Sequence, residues 1–491
     1  MSVLLSPSGR HLMDGTARTF LAGLLLPLTG LITAAFLTRR LGTDGYGLLV
    51  LAATLFGWFE LSINALFSRA TIKFVGEAPD WSPVGMTAIR LHVMTGAAGG
   101  LFLALLSFPL AWLLHEPRIV PYIGLYALHL PISSLSQAHQ NILIGIGQFR
   151  HRALSNAGRW LARLVLILLL VDLGLSVSGA ILGSLGAALI ELAVARHGLR
   201  LPFLGELRVA IRPFYDLGLV LGVASLCHLV FSSLSLIMLK VLGGTIHQVG
   251  IYGAAQNLAI LPGLFGAAFS PLLLSTVNRL IAEGKMDQAK DIGRGAMRIV
   301  MGLLPFGALA AGAAPEIVTW VFGRSFEDAG PILAWLIFGA VAFVMVPVAA
   351  VIATASGAVR FTLYLSGPLV LVAGMANYIL IPSFGAGGGA MATVLCQFIA
   401  AALSVYMIHY VWSIAPPVET LWRSLVISAL AYTLAIVWPV SGILVLAKLA
   451  GISAVILLSY LALREFSAEE MVAARLFLPG ILLPSVQQQK R

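Results

Sequence analysis

Fourteen apolar runs of 18–29 residues follow one another along this chain: 19–37, 48–67, 91–114, 122–146, 153–171, 176–195, 217–239, 249–277, 296–322, 331–355, 361–381, 389–412, 421–438 and 442–463. Crossing about 30 Å of hydrocarbon at 1.5 Å per residue takes about 20 apolar residues, so each run is long enough to span a bilayer. Backbone exposed to lipid must satisfy its own hydrogen bonds, which predicts helices, and the runs lack the two-residue alternation of barrel strands. The 491 residues are 59% hydrophobic and 10% charged, against about a quarter charged in soluble domains. Breaks such as Gly42-Thr43-Asp44-Gly45, Gly243-Gly244-Thr245 and Gly385 to Gly389 are short turn sequences, and none has room for a soluble domain. The expected fold is an all-α polytopic membrane protein of fourteen helices.

Charge sets an expected orientation. With the N-terminus in the cytoplasm, 24 of the 30 Lys and Arg fall on cytoplasmic segments or helix ends, which is the sign of the positive-inside rule. Both termini then lie in the cytoplasm. The formal charge of +10 is accounted for by topology and attraction to anionic lipid, so no nucleic-acid partner is expected. Cys227 and Cys396 each lie inside an apolar run and offer neither a disulfide framework nor a metal site. The first run exceeds the core of a secretory signal and lacks a small-residue cleavage site, so it reads as a retained helix.

A repeat links the two halves. Span 1 ends in Arg39-Arg40-Leu41-Gly42 and span 2 opens with Gly45-Tyr46-Gly47, while span 7 ends in Lys240-Val241-Leu242-Gly243 and span 8 opens with Gly250-Ile251-Tyr252-Gly253. Six spans separate them, and an even number preserves orientation, so the halves are expected to be parallel repeats. The expected boundaries are residues 1–200 for the first six-helix lobe and 201–215 for a cytoplasmic linker. Residues 216–412 form the second lobe, 413–465 two further helices and 466–491 a cytoplasmic tail.

At these residues the chain resembles the polysaccharide flippase branch of the multidrug/oligosaccharidyl-lipid/polysaccharide exporter superfamily. The matching pattern is the basic pair, Leu-Gly, acidic turn and Tyr-Gly of Arg39 to Gly47. Further matches are Arg69-Ala70-Thr71-Ile72-Lys73-Phe74, Gly145-Ile146-Gly147-Gln148-Phe149-Arg150, Gly250 to Gly253, Asn278-Arg279 and Ala282-Glu283-Gly284. The resemblance covers nearly the whole chain. It implies two six-helix lobes around a central cavity, alternating access, and a bacterial inner-membrane protein that is not an enzyme. The implied partner is an undecaprenyl-diphosphate-linked oligosaccharide repeat unit, moved between leaflets for exopolysaccharide, capsule or O-antigen synthesis, with other polysaccharide assembly proteins as further partners. No cofactor is implied, and a proton or sodium ion is a possible coupling ion.

A diphosphate headgroup needs cations at membrane depth, and ionisable groups there are rare and costly. In span 5 the purely apolar stretch Leu164 to Val171 is too short to cross, so a full span draws in Arg159 and Arg163. They are spaced i, i+4 and share a face. A planar guanidinium suits bidentate phosphate contact; the competing reading has both arginines snorkel to cytoplasmic headgroups. Span 2 carries Glu60 and Asn64 near its middle. Span 4 carries Ser133, Gln137, Gln140 and Asn141, with His129 one turn before them, and span 7 carries Ser225, His228, Ser232 and Ser235. These stripes read either as sugar path or as close helix packing. Arg18, Arg69 and Arg90 stand where a cytoplasmic mouth would first meet diphosphate, and Lys240 stands at the outer end of span 7, in the place that Arg39 and Arg40 hold in span 1, where snorkelling to the outer interface is the competing reading of all three. Prolines 262, 271, 305, 315, 347 and 368 mark candidate hinges. Residues 278–294 have the pattern of an interfacial amphipathic helix.

Two other functions are weighed. A drug/cation antiporter of the same superfamily has twelve helices as a rule, and spans 13 and 14 argue against it. A membrane polymerase or glycosyltransferase needs catalytic outer loops, whereas here Asp44, Glu116, Glu327 and Asp328 are scattered over short turns. The chain has no Walker sequence, so ATP is not the expected energy source.

Overall fold

The computed structural model describes residues 7–199, 209–357 and 361–465. Among them the chain is helical throughout, with helices α1 (Pro7–Glu77), α2 (Ser82–Leu113), α3 (Val120–Gly145), α4 (Phe149–Leu170), α5 (Ser176–Leu199) and α6 (Arg212–Val241) in the first part. The remainder comprises α7 (Ile246–Ala259), α8 (Leu261–Ala282), α9 (Met286–Gly302), α10 (Leu304–Gly312), α11 (Ala314–Phe322), α12 (Ala329–Phe343), α13 (Met345–Ala355), α14 (Phe361–Trp412), α15 (Val418–Val437) and α16 (Leu444–Ala462).

Ten stretches among the described residues are long and apolar enough to cross a membrane, against the fourteen expected. The difference has two sources. Three stretches, Pro27–Glu77, Phe149–Leu199 and Gly367–Trp412, hold 51, 51 and 46 residues, each more than twice a crossing, and a further apolar helix, Ser225–Val241, is shorter than the rest. Each long stretch is broken where a glycine takes a positive φ, at Gly42 (67°), Gly174 (89°) and Gly385 (56°), a backbone region that costs a side chain 1–2 kcal/mol or more. At the Gly174 break the arms return against each other, with Gly179 against Leu170 and Gly183 against Ile167.

Proline marks three of the other breaks. α8, α10 and α11 each begin with proline in the first turn, at Pro262, Pro305 and Pro315, where the missing N–H costs no intrahelical bond. Residues 278–294 are not one interfacial helix. They are the end of α8, a turn with positive-φ Gly284, and the start of α9.

The connections fall on two opposite sides of the bundle. On one, the Gly42 side, Arg40 pairs with Asp172 at 2.6 Å, Lys240 with Glu116 at 3.6 Å and His247 Nδ1 with Thr43 at 2.8 Å. Arg39 also donates to the Trp320 carbonyl at 2.6 Å, and Gln248 approaches Gly385. On the other, the Gly147 side, Gly145 meets Val75, Gly198 meets His151, and Trp412 donates to Ser356 at 2.7 Å.

The two members of the sequence repeat pack on each other. A side chain on Gly47 would collide with the Ile246 carbonyl, and one on Gly250 with the Thr43 carbonyl. The second arm of α1 (43–77) and α7 therefore touch backbone to backbone on the Gly42 side. Asn257 of α7, about two turns past Gly250, donates to the Tyr46 hydroxyl at 2.6 Å. Past Ala259 the path diverges, and α8 packs chiefly on α9, α12 and α13. Helices α15 and α16 lie against α10 and α11, where Lys448, 0% exposed, meets Glu316 at 2.8 Å.

The close contact predicts that Gly250→Ala destabilises the protein by about 1–3 kcal/mol through overpacking against backbone. Gly263→Ala, with nothing within 4 Å of the new methyl, should leave it unchanged. Thermal denaturation of the two purified variants checks this.

Candidate functional site

The ionisable residues of the first half converge where α1, α3, α4 and α5 meet. Helix α4 decides which way its arginines point. Leu154, Leu161, Val165 and Leu169 are exposed along one face, and Ser155 and Ile167 are buried on the other. Arg159 and Arg163, two residues either side of Leu161, lie about 200° around the helix from it and so share the packed face. Their direction is into the bundle rather than to the headgroups.

Arg159 makes one hydrogen bond, to Glu191, and a longer contact to Glu60, whose buried Oε1 has no hydrogen-bond partner among the described residues. The guanidinium lies 3.2 Å from Glu191 Oε2 and 3.7 Å from Glu60 Oε1. Glu191, on α5, also accepts from Ser136 Oγ at 2.8 Å and Gln140 Nε2 at 3.3 Å. Ser155 Oγ accepts from Gln140 at 2.8 Å and donates to the Glu191 carbonyl at 2.7 Å. Beside this network Asn141 donates to Asn64 at 3.3 Å and accepts from Ser68 at 3.0 Å. Every polar group here is placed by a helix that buries it, and the hydrogen bonds offset part of the large cost of taking charges out of water.

Arg163 is different. No carboxylate pairs with it among the described residues, and its buried Nε has no acceptor. It lies over the Trp160 ring at 5.8 Å, as Arg159 does at 5.4 Å, and within electrostatic reach of Tyr126, Glu60 and Tyr46. On α3, Tyr126 and His129 stack against Phe56 with ring centres 4.6 and 4.8 Å apart. The His129 nitrogens are buried without partners.

The cleft borders an open strip of α1. Leu61, Arg69 and Lys73 are exposed, next to the Glu60, Asn64 and Ser68 line. Among the described residues Arg69 has no ion pair, and Arg90 on α2 is half-buried and likewise without one. Gln137 is half-buried and makes no hydrogen bond to the described residues. The Arg18 side chain lies outside the described residues. In α6, Ser235 bonds Thr393 at 2.6 Å, a packing contact, whereas His228 is exposed and stacks on Phe343 at 6.0 Å.

Lys240 does not reach into this cleft, nor out to headgroups. Its ammonium is buried on the Gly42 side against Glu116, 7% exposed, which Arg118 also binds at 2.7 Å. Burial pushes the Glu116 carboxyl up, but the hydrogen bond and charge of Arg118, then the charge and hydrogen bond of Lys240, outweigh it and hold the group below the ordinary value of 4.5.

Sequence reasoning brought Arg159, Glu60, Gln140, Asn141 and Asn64 to one place, and it missed Glu191. That residue is the sole ionisable group within 176–195, and a carboxylate in an apolar run is itself the signal. Among the described residues no three His, Cys, Asp or Glu side chains are grouped to hold a metal.

Removing one partner of a buried pair leaves a bare charge, at about 3–5 kcal/mol. Arg159→Gln is accordingly expected to lower unfolding free energy by that order, and Arg159→Gln combined with Glu191→Gln to recover most of it. Denaturation of both variants in the same detergent measures the difference.

The profile of a family described as polysaccharide biosynthesis protein matches residues 12–272. No curated protein matches the chain. Among solved structures it is similar to the lipid II flippase MurJ in an inward closed conformation, with TM-score 0.68 and 14% identity over 92% of this chain and 99% of that one. It is also similar to the inward-facing form of a multidrug resistance MATE family transporter of the MOP superfamily, with TM-score 0.67 and 16% identity over 80% and 98%. A third is the Vibrio cholerae MATE transporter VcmN, with TM-score 0.54 and 16% identity over 82% and 96%. At these identities the likeness is one of fold, and all three proteins are transporters.

Proposed function

The chain belongs to the polysaccharide biosynthesis protein family, and on that premise we propose that it is a flippase for polyprenyl-diphosphate-linked oligosaccharides. In this reading it moves undecaprenyl-diphosphate-linked repeat units from the cytoplasmic to the outer leaflet of the bacterial inner membrane, supplying cell-surface polysaccharide synthesis. Residues 1–200 and 216–412 act as two lobes that rock about the Gly47 and Gly250 contact. The Gly147 side, where most Lys and Arg lie, faces the cytoplasm, and both termini are cytoplasmic.

The observation that carries the proposal is Arg163, an in-span guanidinium without a carboxylate partner in a cleft of polar side chains. A free fork of N–H donors at low dielectric fits a phosphate group, and the surrounding amides and hydroxyls fit sugar. The exposed strip with Arg69 and Lys73 leads from the Gly147 side toward that cleft, so a headgroup has a basic path while its polyprenyl tail stays in lipid. A cation antiporter, which the same fold also serves, needs free carboxylate in the cleft. Here Glu191 accepts from Arg159 whereas Glu60, 3.7 Å from the same guanidinium, keeps Oε1 without a hydrogen bond among the described residues, so the case against that alternative is carried by Arg163 and by the two added helices α15 and α16.

Proteoliposomes holding the purified protein are expected to translocate a fluorescent polyprenyl-diphosphate oligosaccharide, and Arg163→Ala to reduce the rate at least tenfold with normal insertion. Wild-type rates in that variant, or efflux of cationic drugs in place of lipid movement, would reject the proposal. For orientation, a cysteine at position 172 should react with an impermeant thiol reagent from outside the cell, and one at 285 only after permeabilisation. The reverse pattern would invert the topology.

A further inference from the structure

A second group of arginines lies outside the cleft of the first half, on the Gly147 side of the later helices. Among the described residues a pocket of 460 Å³ opens between α9, the turn 413–417, the start of α15 and Glu465 just beyond α16. Arg294 and Arg298 of α9 and Thr420 and Arg423 of α15 line it together with Glu465. Gly293 packs against the Trp412 ring, which places the pocket at the level of the Trp412 and Ser356 contact.

Glu465, its side chain 9% exposed, serves two of the three arginines, Arg423 at 2.7 Å and Arg298 at 3.2 Å, and it accepts from the Thr420 hydroxyl as well. Arg294 has no share in it. Its guanidinium makes no hydrogen bond to the described residues and stands 3.7 Å from the exposed Asp291. The exposed Glu419 lies 3.6 Å from Arg423. Exposed pairs at such distances contribute little, so within the pocket three positive charges face one negative charge.

A second anion completes that balance, and the surroundings indicate its kind. Each helix turns an apolar side chain outward beside its arginine. Ile299 follows Arg298 and Trp422 precedes Arg423, both exposed, and Leu425 and Val426 are exposed about one turn further along α15. Tryptophan and arginine together at the end of a spanning helix mark the headgroup layer. A soluble anion gains nothing from those apolar faces, whereas a phospholipid can set its phosphate among the arginines and its acyl chains along Trp422 and Leu425. We propose that the pocket binds the headgroup of an anionic glycerophospholipid from the leaflet on the Gly147 side. Arg294 supplies donors that the described residues leave unused, and Arg298 and Arg423, held in place by Glu465, add their charge. The bound lipid joins α9 to α15, and so ties the second half of the molecule to its last two helices. The site is separate from the cleft and does not depend on the flippase reading.

The test uses the full-length protein, stripped of lipid in detergent, with short-chain phosphatidylglycerol, short-chain phosphatidylcholine and inorganic phosphate as probes. Native mass spectrometry counts retained lipid, and thermal shift follows the titrations. Phosphatidylglycerol is expected to bind and raise the melting temperature, phosphatidylcholine to bind at least tenfold more weakly, and inorganic phosphate to give no shift. Arg294→Gln and Arg423→Gln should each weaken phosphatidylglycerol binding at least fivefold. Arg294 holds no other element in place, so its variant decides the matter if Arg423→Gln fails to fold. Lys285→Gln, which removes an exposed charge outside the pocket on the same side, should bind as wild type does. Equal binding of the two lipids, equal loss in Lys285→Gln and Arg294→Gln, or wild-type affinity in folded Arg294→Gln would overturn the site. A shift by inorganic phosphate as large as that by phosphatidylglycerol would assign the pocket to a soluble anion and overturn the proposal.

Discussion

A charge inside a bilayer must find a partner, and the charged contacts of this protein follow from that constraint. Lys448, wholly buried on α16, is held by Glu316 at the start of α11, which ties the last two helices to the body. Lys240 at the end of α6 is held by Glu116 in the turn after α2, which joins the two halves on the Gly42 side. Arg159 gathers α1, α4 and α5 through two carboxylates, and the hydroxyl and amide of α3 complete the shell around Glu191. Against that pattern Arg163 is the exception. Its stacking on Trp160 supplies some cation–π attraction, yet its Nε is left bare, and the function proposed for the protein depends on that exception.

The close contact of Gly47 with α7 is the second constraint. Backbones that touch cannot slide far, but they can pivot; toward the Gly147 side α1 also meets α6, with Gly218 against the Leu66 carbonyl and the Phe74 and Phe214 rings 5.0 Å apart, while α8 diverges from α1 past Ala259. Ion pairs and hydrogen bonds on the Gly42 side, from Lys240, His247 and Arg39, close that side. An alternating-access cycle would have to exchange these contacts for others.

Hydropathy made the helical membrane fold legible, and the repeat of Gly45-Tyr46-Gly47 and Gly250 to Gly253 marked the very residues that meet. The breaks inside the three long helical stretches fall in gaps between runs, at Gly42, Gly174 and Gly385, because a positive-φ glycine in a short turn sequence interrupts a helix. The i, i+4 spacing found Arg159 with Arg163 and Glu60 with Asn64, since same-face residues on one helix are read directly from sequence. It did not distinguish the two arginines. That distinction depends on Glu191, which lies 32 residues further along the chain and becomes a partner only when α4 and α5 fold back on each other. Lys240 was misjudged for the same reason, because Glu116 is brought to it by the arrangement of helices and not by any local pattern. For the mouth expected at Arg69 and Arg90, an arginine near a helix end has the same local sequence whether it meets lipid headgroups or substrate.

The central claim is that a lipid-linked diphosphate is held inside the first half of the molecule by a guanidinium that the protein itself leaves unpaired. The most direct measurement is the position of the two phosphorus atoms in an experimentally determined structure of the protein bound to a polyprenyl-diphosphate oligosaccharide. The account predicts them within hydrogen-bonding distance of Arg163, with Arg159 still on Glu191. Phosphorus density at the membrane surface with Arg163 unoccupied, or density beside Arg159 with Glu191 displaced, would contradict it.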